Sequence, residues 1–195
     1  MAEVYQILTG HCTGSYQIWC QASCSVTLIL DGDLKCLVDC ASAYESETLR
    51  NALSSHNVHP SDVSHVICTH AHLDHIGNLA LFNQATMLLN GEWSKPGGYY
   101  SADTKDVFQL SANIEVQRMS GHTFCDWVLF VRTKGDGKVV CVAGDLFENE
   151  HDLKDSSIWK VNSLDVDTQH KHRLAILDKA DYIIPGHGKM FSCEK

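Results

Sequence analysis

The stretch Thr69-His70-Ala71-His72-Leu73-Asp74-His75 decides how the fold and chemistry of this sequence are interpreted. It follows an apolar, strand-like run, and residues two apart in an extended segment project to the same side, so His70 and His72 can bind one cation. Asp74 and His75 fall on the following turn, from which they can reach a neighbouring cation. Imidazole with carboxylate favours zinc, iron or manganese over calcium, which prefers oxygen ligands. The stretch therefore predicts a transition-metal site.

Three later residues are candidate ligands because each lies where a predicted strand runs into a loop. They are His122 after Gly121, Asp145 after Gly144, and His187 after Gly186. A glycine before each ligand lets the backbone turn sharply and approach a metal without a Cβ clash. Each signal is weak alone, since Gly-Asp turns are common and an isolated histidine is usually structural. In this order, and together with the first cluster, they are specific for a metal centre.

Short apolar runs elsewhere predict two antiparallel hairpins. The first joins Ser25–Leu30 to Lys35–Asp39 through a turn around Gly32, and the second joins Trp127–Thr133 to Lys138–Ala143. Further strands are predicted at Asp62–Thr69, Ala85–Leu89 and Asp181–Ile184. Two β-rich halves, each followed by helices, favour an α+β sandwich with helices outside two packed sheets.

Helical spacing of apolar residues predicts two clear helices and one short one. The first covers Ser46–Ser55 with Ser46 as its N-cap, and the last covers Thr168–Ala180 with Leu174 and Leu177 on its apolar side. A short helix is predicted from Gly77 onward.

Length and charge limit the functions that the chain can perform. Its 195 residues predict a single domain spanning 1–195. With 15 Lys+Arg against 24 Asp+Glu, the net charge is −9, which excludes broad, charge-driven coating of nucleic acid. A local phosphodiester site remains open, because bound metal ions would add positive charge.

The N-terminal sequence and the cysteines bear on localisation. The first ten residues, MAEVYQILTG, lack the basic and apolar regions of a signal peptide, and no apolar run is long enough to span a bilayer. We therefore expect a cytosolic, and also nuclear, protein with no membrane partner and with mostly reduced thiols. The pairs Cys20/Cys24 and Cys36/Cys40 suggest zinc-finger ligands, but Cys36 and Cys40 bracket an apolar dipeptide. Buried small hydrophobes are the favoured interpretation.

The ordered set of ligands resembles the metallo-β-lactamase superfamily, from the first hairpin to Gly188. The resemblance implies the four-layer αββα metallo-β-lactamase sandwich and a two-metal site. It assigns His70, His72 and His122 to the first metal, Asp74, His75 and His187 to the second, and Asp145 to both as a bridge. It implies two divalent ions, with zinc favoured over iron or manganese, and a metal-bound hydroxide as the nucleophile. Asp74 is then a ligand and a candidate proton relay.

Particular residues narrow the resemblance to the hydrolytic branch of the superfamily. The antibiotic-hydrolysing group that uses a cysteine ligand places it where this chain has Asp145, and the flavodiiron group has an acidic residue in place of His72. Eight residues follow His187, where glyoxalase II carries a helical domain, so a glutathione thioester is disfavoured. The frame around Asp145 and His187 is similar to the family of metallo-β-lactamase domain-containing protein 1.

That similarity implies an endoribonuclease that cleaves RNA phosphodiester bonds, with single-stranded RNA as substrate, histone pre-mRNA 3′ end processing as its role and a homodimer as its assembly. Nothing in the composition distinguishes RNA from a thioester. The alternatives are a glyoxalase II-like thioester hydrolase, a persulfide dioxygenase, and a non-catalytic metal-binding protein, which only the abundance of His and Cys supports.

Other polar residues have two interpretations each. Asp39 is a candidate acceptor for the N–H of a ligating imidazole, or a structural turn residue. It opens Asp39-Cys40-Ala41, where the superfamily often has Asp-Thr-Gly, so the turn is expected to differ. His11 opens a loop that can lie near the mouth of the site. Tyr99 and Tyr100 either line a substrate groove or pack in the ordinary way, with packing favoured.

The remaining charged and imidazole side chains are expected to be structural or solvated. Solvated helix charges are the default for Lys160, Lys171 and Arg173, with phosphate contact as the alternative. The other histidines lie on predicted helices, turns or exposed faces, and their spacing does not match that of a ligand set. They are His56, His59, His65, His151, His170 and His172.

Overall fold

The computed structural model describes residues 1–15, 19–102 and 105–193. In chain order, its strands are β1 (Glu3–Leu8), β2 (His11–Ser15), β3 (Trp19–Ser23), β4 (Val26–Asp31), β5 (Leu34–Val38), β6 (His65–Ile67), β7 (Thr86–Leu89), β8 (Glu92–Lys95), β9 (Tyr99–Ala102), β10 (Val107–Ser111), β11 (Ile114–Met119), β12 (Asp126–Arg132), β13 (Val139–Gly144), β14 (Tyr182–Pro185) and β15 (Phe191–Ser192). The α-helices are α1 (Ser46–Ser54), α2 (Leu73–Ile76), α3 (Ser157–Lys160) and α4 (Val166–Lys179).

Two mixed sheets form the centre of the molecule. One has the strand order β1-β4-β5-β6-β7-β8-β9, the other the order β10-β11-β12-β13-β14-β15, and β2 pairs with β3 in a separate hairpin. Both predicted hairpins are confirmed, since β4 pairs antiparallel with β5 and β12 with β13. Parallel neighbours occur at β5-β6-β7 and at β13-β14.

Three apolar cores show that the layers are helix, sheet, sheet and helix. Alternating side chains of both sheets meet between them, for example Ile67 from β6 and Trp127 from β12. Leu49 of α1 packs on the outer face of the first sheet, and Ile176 of α4 packs on the outer face of the second. This is the predicted αββα sandwich.

The cysteines largely contribute to these cores. Six of them are buried: Cys24, Cys36, Cys40, Cys68, Cys125 and Cys141. Cys36 lies in the core between the sheets and Cys141 in the core beneath α4. The interpretation as small buried hydrophobes is confirmed for Cys36, Cys40, Cys125 and Cys141, whereas Cys20 is only half-buried.

The start of α1 differs from the prediction that Ser46 is its N-cap. Ser46 is the first helical residue rather than the cap, because a 3-10 turn, Ala43–Glu45, precedes α1. The backbone N–H and the hydroxyl of Ser42 both donate to the Glu45 carboxylate, at 3.2 and 2.8 Å. The carboxylate thus ties the start of this turn and sets the chain direction into α1.

The buried face of α4 also differs from the prediction. Leu177 is half-buried against the core beneath α4, as predicted, but Leu174 is 54% exposed. The buried residues are Gln169, Arg173 and Ile176. Polar partners inside the protein decide this orientation, since Arg173 forms an ion pair with the buried Asp152. In the part of the chain that the structure describes, no helix is long and apolar enough to cross a membrane.

Candidate metal centre

The predicted ligands converge at the carboxyl ends of the parallel strands, where open α/β sheets commonly place ligand sites. His70 and His72 follow β6, and Asp74 and His75 lie on the short helix α2 that comes next. From the second sheet come three residues that follow β11, β13 and β14 respectively: His122, Asp145 and His187. All seven predicted residues are thus brought to one place.

Three imidazoles and one carboxylate form the first cluster. The ligand atoms of His70, His72, His122 and Asp145 all lie within 4.8 Å of one another. His122 Nε2 lies 3.2 Å from His72 Nδ1 and 3.4 Å from Asp145 Oδ2, and His70 Nε2 lies 3.6 Å from the same Asp145 oxygen. His72 is exposed, so this cluster opens to solvent on one side.

Two imidazoles and one carboxylate form the second cluster. Asp74 Oδ2 lies 3.8 Å from His75 Nε2 and 3.9 Å from His187 Nε2. Asp145 reaches this cluster as well, with Oδ1 3.2 Å from His75 Nε2 and Oδ2 3.2 Å from His187 Nε2. Its carboxylate therefore lies between the two clusters, as a bridging ligand must.

Hydrogen bonds at the far side of three rings aim the Nε2 atoms into the site. The Nδ1–H of His75 donates to Asp39 Oδ2 at 2.9 Å, and that of His187 donates to the carbonyl oxygen of Ser23 at 3.1 Å. His70 Nδ1 lies 3.1 Å from the hydroxyl of Thr69, which itself donates to Asp39. Such outer partners fix the tautomer and orientation of metal-ligating histidines.

Buried atoms without hydrogen bonds test whether the site fits a cation. Among the described residues, four buried atoms that point into the two clusters lack a hydrogen-bond partner: His70 Nε2, Asp74 Oδ2, His75 Nε2 and Asp145 Oδ1. Buried polar atoms are normally paired, so such a concentration needs an explanation. Nitrogen and oxygen donors that face one another fit divalent transition-metal ions.

Two glycines allow the backbone to bring Asp145 into place. A Cβ on Gly186 would lie 1.8 Å from Asp145 Oδ1, so any side chain there would displace the bridging carboxylate. Gly144 has φ +54°, and a Cβ there would lie 2.7 Å from the side chain of Thr69. Only glycine accepts such a close approach without strain.

The Asp39-Cys40-Ala41 turn has a left-handed backbone at two of its three residues. Asp39 has φ 61° and Ala41 has φ 58°. The backbone N–H of Gly77 donates to Ala41 O at 2.9 Å, which ties this turn to the end of α2. Asp39 is both a turn residue and the acceptor for His75, so the two interpretations hold together.

The two clusters differ in their affinity for protons. Burial lowers the pKa of His70 well below its ordinary value, and burial lowers the pKa of His122 to about 4. For His75, burial opposes the charge, but Asp145 and Asp39 outweigh it and raise the pKa well above 6.5. For His187, burial likewise opposes the charge, while Asp145 raises the pKa to about 9.

This difference predicts a pH dependence for the second cluster alone. A protonated imidazole cannot bind a metal, so near pH 7.5 an ion entering the second cluster must displace the proton of His187, and the raised pKa of His75 opposes binding in the same direction. Affinity there should rise as the pH rises towards about 9, the pKa of His187. Binding at the first cluster, whose imidazoles are neutral, should release almost no protons. Calorimetric titration in buffers of different ionisation enthalpy measures this, and equal proton release in both binding steps would contradict it.

Asp39 offers a test of the outer hydrogen bonds. Asp39→Asn keeps an oxygen for the backbone N–H of Thr69 but removes the charge that orients the imidazole of His75. Loss of an outer partner typically weakens metal affinity by about 10- to 100-fold. We expect that loss in zinc titrations of Asp39→Asn, with Asp33→Asn, in an exposed turn, as the control. Wild-type affinity in both variants would show that Asp39 serves the turn only.

Two clefts border loops that carry the ligands. One of about 900 Å³ is bordered by His72 and Asp74 and lined by Trp19, Tyr44 and Leu73. These three side chains are 90%, 99% and 82% exposed. Another, of about 580 Å³, runs along Gly121, Phe124 and Val166. Tyr99 and Tyr100 are instead on the edge strand β9 and 72% and 71% exposed, so the packing interpretation for them is wrong.

The sequence did not predict that two residues of α4 hold the loop containing Asp145 through hydrogen bonds. Gln169 Nε2 donates to Asp145 O at 3.1 Å, and Arg173 donates to Leu146 O at 2.6 Å. Arg173 is buried, so its interpretation as a solvated charge is wrong, while Lys171 is exposed as expected. Arginine in a helical pattern gives no signal of a buried partner that is distant in sequence.

The other histidines lie outside the two clusters. His56 packs against the ring of Tyr5, with centroids 4.6 Å apart, and His170 stacks on Trp159. His172 is held by the backbone carbonyl of Ser120.

Comparisons with known proteins agree with this fold. The family model described as the metallo-beta-lactamase superfamily matches residues 21–92. Metallo-beta-lactamase domain-containing protein 1 of Xenopus laevis is 43% identical over 175 residues, which cover 88% of this chain and 73% of that protein. The Homo sapiens protein of the same name is 37% identical over 158 residues, covering 80% of this chain and 58% of that protein. The chain thus spans about half to three quarters of the length of the relatives described.

Solved structures show the same fold at low sequence identity. A presumed metallo-beta-lactamase from Thermotoga maritima has a TM-score of 0.73 and 19% identity, over 98% of this chain and 99% of that one. A quorum-quenching N-acyl homoserine lactone lactonase has a TM-score of 0.67 and 14% identity, over 96% and 90% of the two chains. The chain belongs to the metallo-β-lactamase superfamily and, within it, to the family of metallo-β-lactamase domain-containing protein 1.

Proposed function

We propose that this chain is a metal-dependent hydrolase that cleaves phosphodiester bonds in single-stranded RNA with two divalent ions, zinc foremost. One observation carries the proposal: Asp145 joins two ligand clusters beside a cleft with exposed aromatic walls. Ions held there would act as Lewis acids and activate water at neutral pH.

The chain's own residues would hold and orient the reacting groups. The first cluster would hold one ion through His70, His72 and His122, and the second would hold the other through Asp74, His75 and His187. Asp145 would be shared by both. The side chain of Asp74 is 18% exposed and also borders the cleft. It is therefore placed to pass a proton to a leaving group as well as to bind an ion.

Aromatic side chains support RNA as the substrate class. Trp19 and Tyr44 line the larger cleft, and stacking of a base on an aromatic ring contributes about 1–3 kcal/mol. The net charge of −9 disfavours a long backbone footprint, so the substrate should be a short unpaired segment held at the metal centre.

Histone pre-mRNA 3′ end processing, in the nucleus or cytosol, is the role that we propose from the family relationship, together with a homodimeric assembly. Membership in the family of metallo-β-lactamase domain-containing protein 1 supports this part of the proposal.

A second candidate function is a glyoxalase II-like thioester hydrolase. The lining of the larger cleft favours it, because Ala22, Leu73 and Ile76 offer an apolar wall to an acyl group. The same ligand clusters would serve attack on a carbonyl carbon.

A panel of substrates separates the two candidates. Metal-reconstituted protein is incubated with single-stranded RNA, single-stranded DNA and S-lactoylglutathione. We expect RNA cleavage that stops on chelation and an intact thioester. Robust thioester turnover with intact RNA would overturn the RNA proposal in favour of the second candidate.

Tyr44→Ala tests the role of the cleft. Loss of one stacking partner is expected to raise the KM for RNA by about 5- to 100-fold, with metal content unchanged. Tyr99→Ala is the matched control, because Tyr99 is similarly exposed but lies on the edge strand β9. An unchanged KM in Tyr44→Ala, or an equal change in both variants, would contradict the proposal that this cleft binds RNA.

A further inference from the structure

Glu148 lies against the second cluster, although neither the sequence pattern nor the superfamily ligand set includes it. It is 3% exposed and lies three residues after Asp145. Its Oε1 accepts a hydrogen bond from Asn162 Nδ2 at 3.0 Å, and its backbone N–H donates to Asp152 Oδ2 at 2.8 Å. Its other carboxylate oxygen, Oε2, lies 3.9 Å from His187 Nε2.

The side of the ring that Glu148 faces distinguishes a ligand from a support. A support binds the far nitrogen of a ligating imidazole, but in His187 the Nδ1–H donates to Ser23 O. Glu148 Oε2 instead faces Nε2, the atom aimed into the cluster. The carboxylate is therefore placed beside the position of an ion and not behind the ring.

The separations between donors allow one ion to be shared. The ligand atoms of Asp145, Glu148 and His187 all lie within 4.8 Å of one another. Two donors that each lie about 2.0–2.2 Å from an ion can be at most about 4.4 Å apart. The 3.9 Å between Glu148 Oε2 and His187 Nε2 is within that limit.

Charge balance points the same way. Glu148 is a buried carboxylate near two others, Asp145 and Asp152, and its ionised form needs compensating positive charge. The guanidinium of Arg173 binds both carboxylate oxygens of Asp152, so its charge is committed to that residue. A divalent ion at the second cluster would compensate Glu148.

We propose that Glu148 is an additional oxygen ligand of the ion held by Asp74, His75, His187 and Asp145. This rests on the two-ion centre of the proposed function. The second position then offers three carboxylates and two imidazoles, whereas the first offers three imidazoles and shares Asp145. Because more numerous and harder oxygen donors suit manganese and ferrous ions, the second position should favour these, and the first should favour zinc.

Metal titration tests this without any substrate. Protein preloaded with one equivalent of zinc is titrated with Mn²⁺ by calorimetry, and bound metal is then counted by elemental analysis. Glu148→Gln should bind Mn²⁺ at least tenfold more weakly than wild type, with its zinc affinity unchanged. Glutamine keeps an oxygen that can accept the hydrogen bond from Asn162 Nδ2. Glu150→Gln, exposed in the next turn, should match wild type.

Each outcome bears on a separate part of the account. Wild-type Mn²⁺ affinity in Glu148→Gln would overturn the ligand role of Glu148 and leave the two-ion centre standing. Equal weakening of zinc and Mn²⁺ binding would also overturn it, since that indicates a structural role. A wild-type protein that binds no second ion of either metal would overturn the two-ion proposal and this inference with it.

Discussion

Asp145→Ala is expected to lower turnover by roughly 1,000-fold or more and to reduce metal content to one ion or fewer per chain. Its carboxylate lies 3.2 Å from both His75 Nε2 and His187 Nε2 and 3.4 Å from His122 Nε2. Removal therefore takes an anionic donor from both clusters at once. Elemental analysis and turnover, at matched folded fraction, measure both effects.

A histidine outside the two clusters provides the control for this variant. His151 is exposed, and His151→Ala should change neither metal content nor rate. His56 is less suitable, because its ring packs against Tyr5. Full metal occupancy and normal turnover in Asp145→Ala would contradict the bridging assignment.

Arg173→Met is expected to reduce the free energy of unfolding by about 3–5 kcal/mol, a large part of the stability of an ordinary domain. The guanidinium pairs with Asp152, which is also buried, and lies 4.0 Å over the ring of Phe147. Methionine fills the space but leaves the Asp152 carboxylate buried without its partner. Because Arg173 also holds Leu146 O, metal affinity should fall as well.

Denaturant unfolding of the metal-free protein measures the first effect without any contribution from bound ions. Lys171→Met is the matched control on the exposed face of α4, and its stability should stay within about 0.5 kcal/mol of wild type. A loss below about 1 kcal/mol in Arg173→Met would mean that the buried pair contributes little.

The ligand set could be predicted from the sequence because its signals involve residues close together in the chain. Histidines two apart after a strand must share a side, and the glycines before Asp145 and His187 report close backbone approach. Gly186 shows this directly, since a Cβ there would collide with the Asp145 carboxylate. The two hairpins were predictable for the same reason, as their turns and alternation are short-range features.

The residues that support the site could not be predicted, because their roles depend on contacts between distant segments. Arg173 has a polar environment only because Asp152 lies under α4, and helical spacing alone favoured Leu174 for the buried face. Likewise, Glu148 faces His187 because the loops after β13 and β14 are adjacent, with Gly144 paired to Pro185. The register between strands that are this far apart in the sequence cannot be predicted from composition or periodicity.

The central claim is that Asp145 joins two ions in one centre, and electron paramagnetic resonance of the manganese-loaded protein tests it most directly. At about two equivalents of Mn²⁺ per chain, two ions that share a carboxylate should give a spin-coupled spectrum, and Asp145→Ala should give only that of isolated Mn²⁺. An isolated-ion spectrum from the fully loaded wild-type protein would contradict the shared centre.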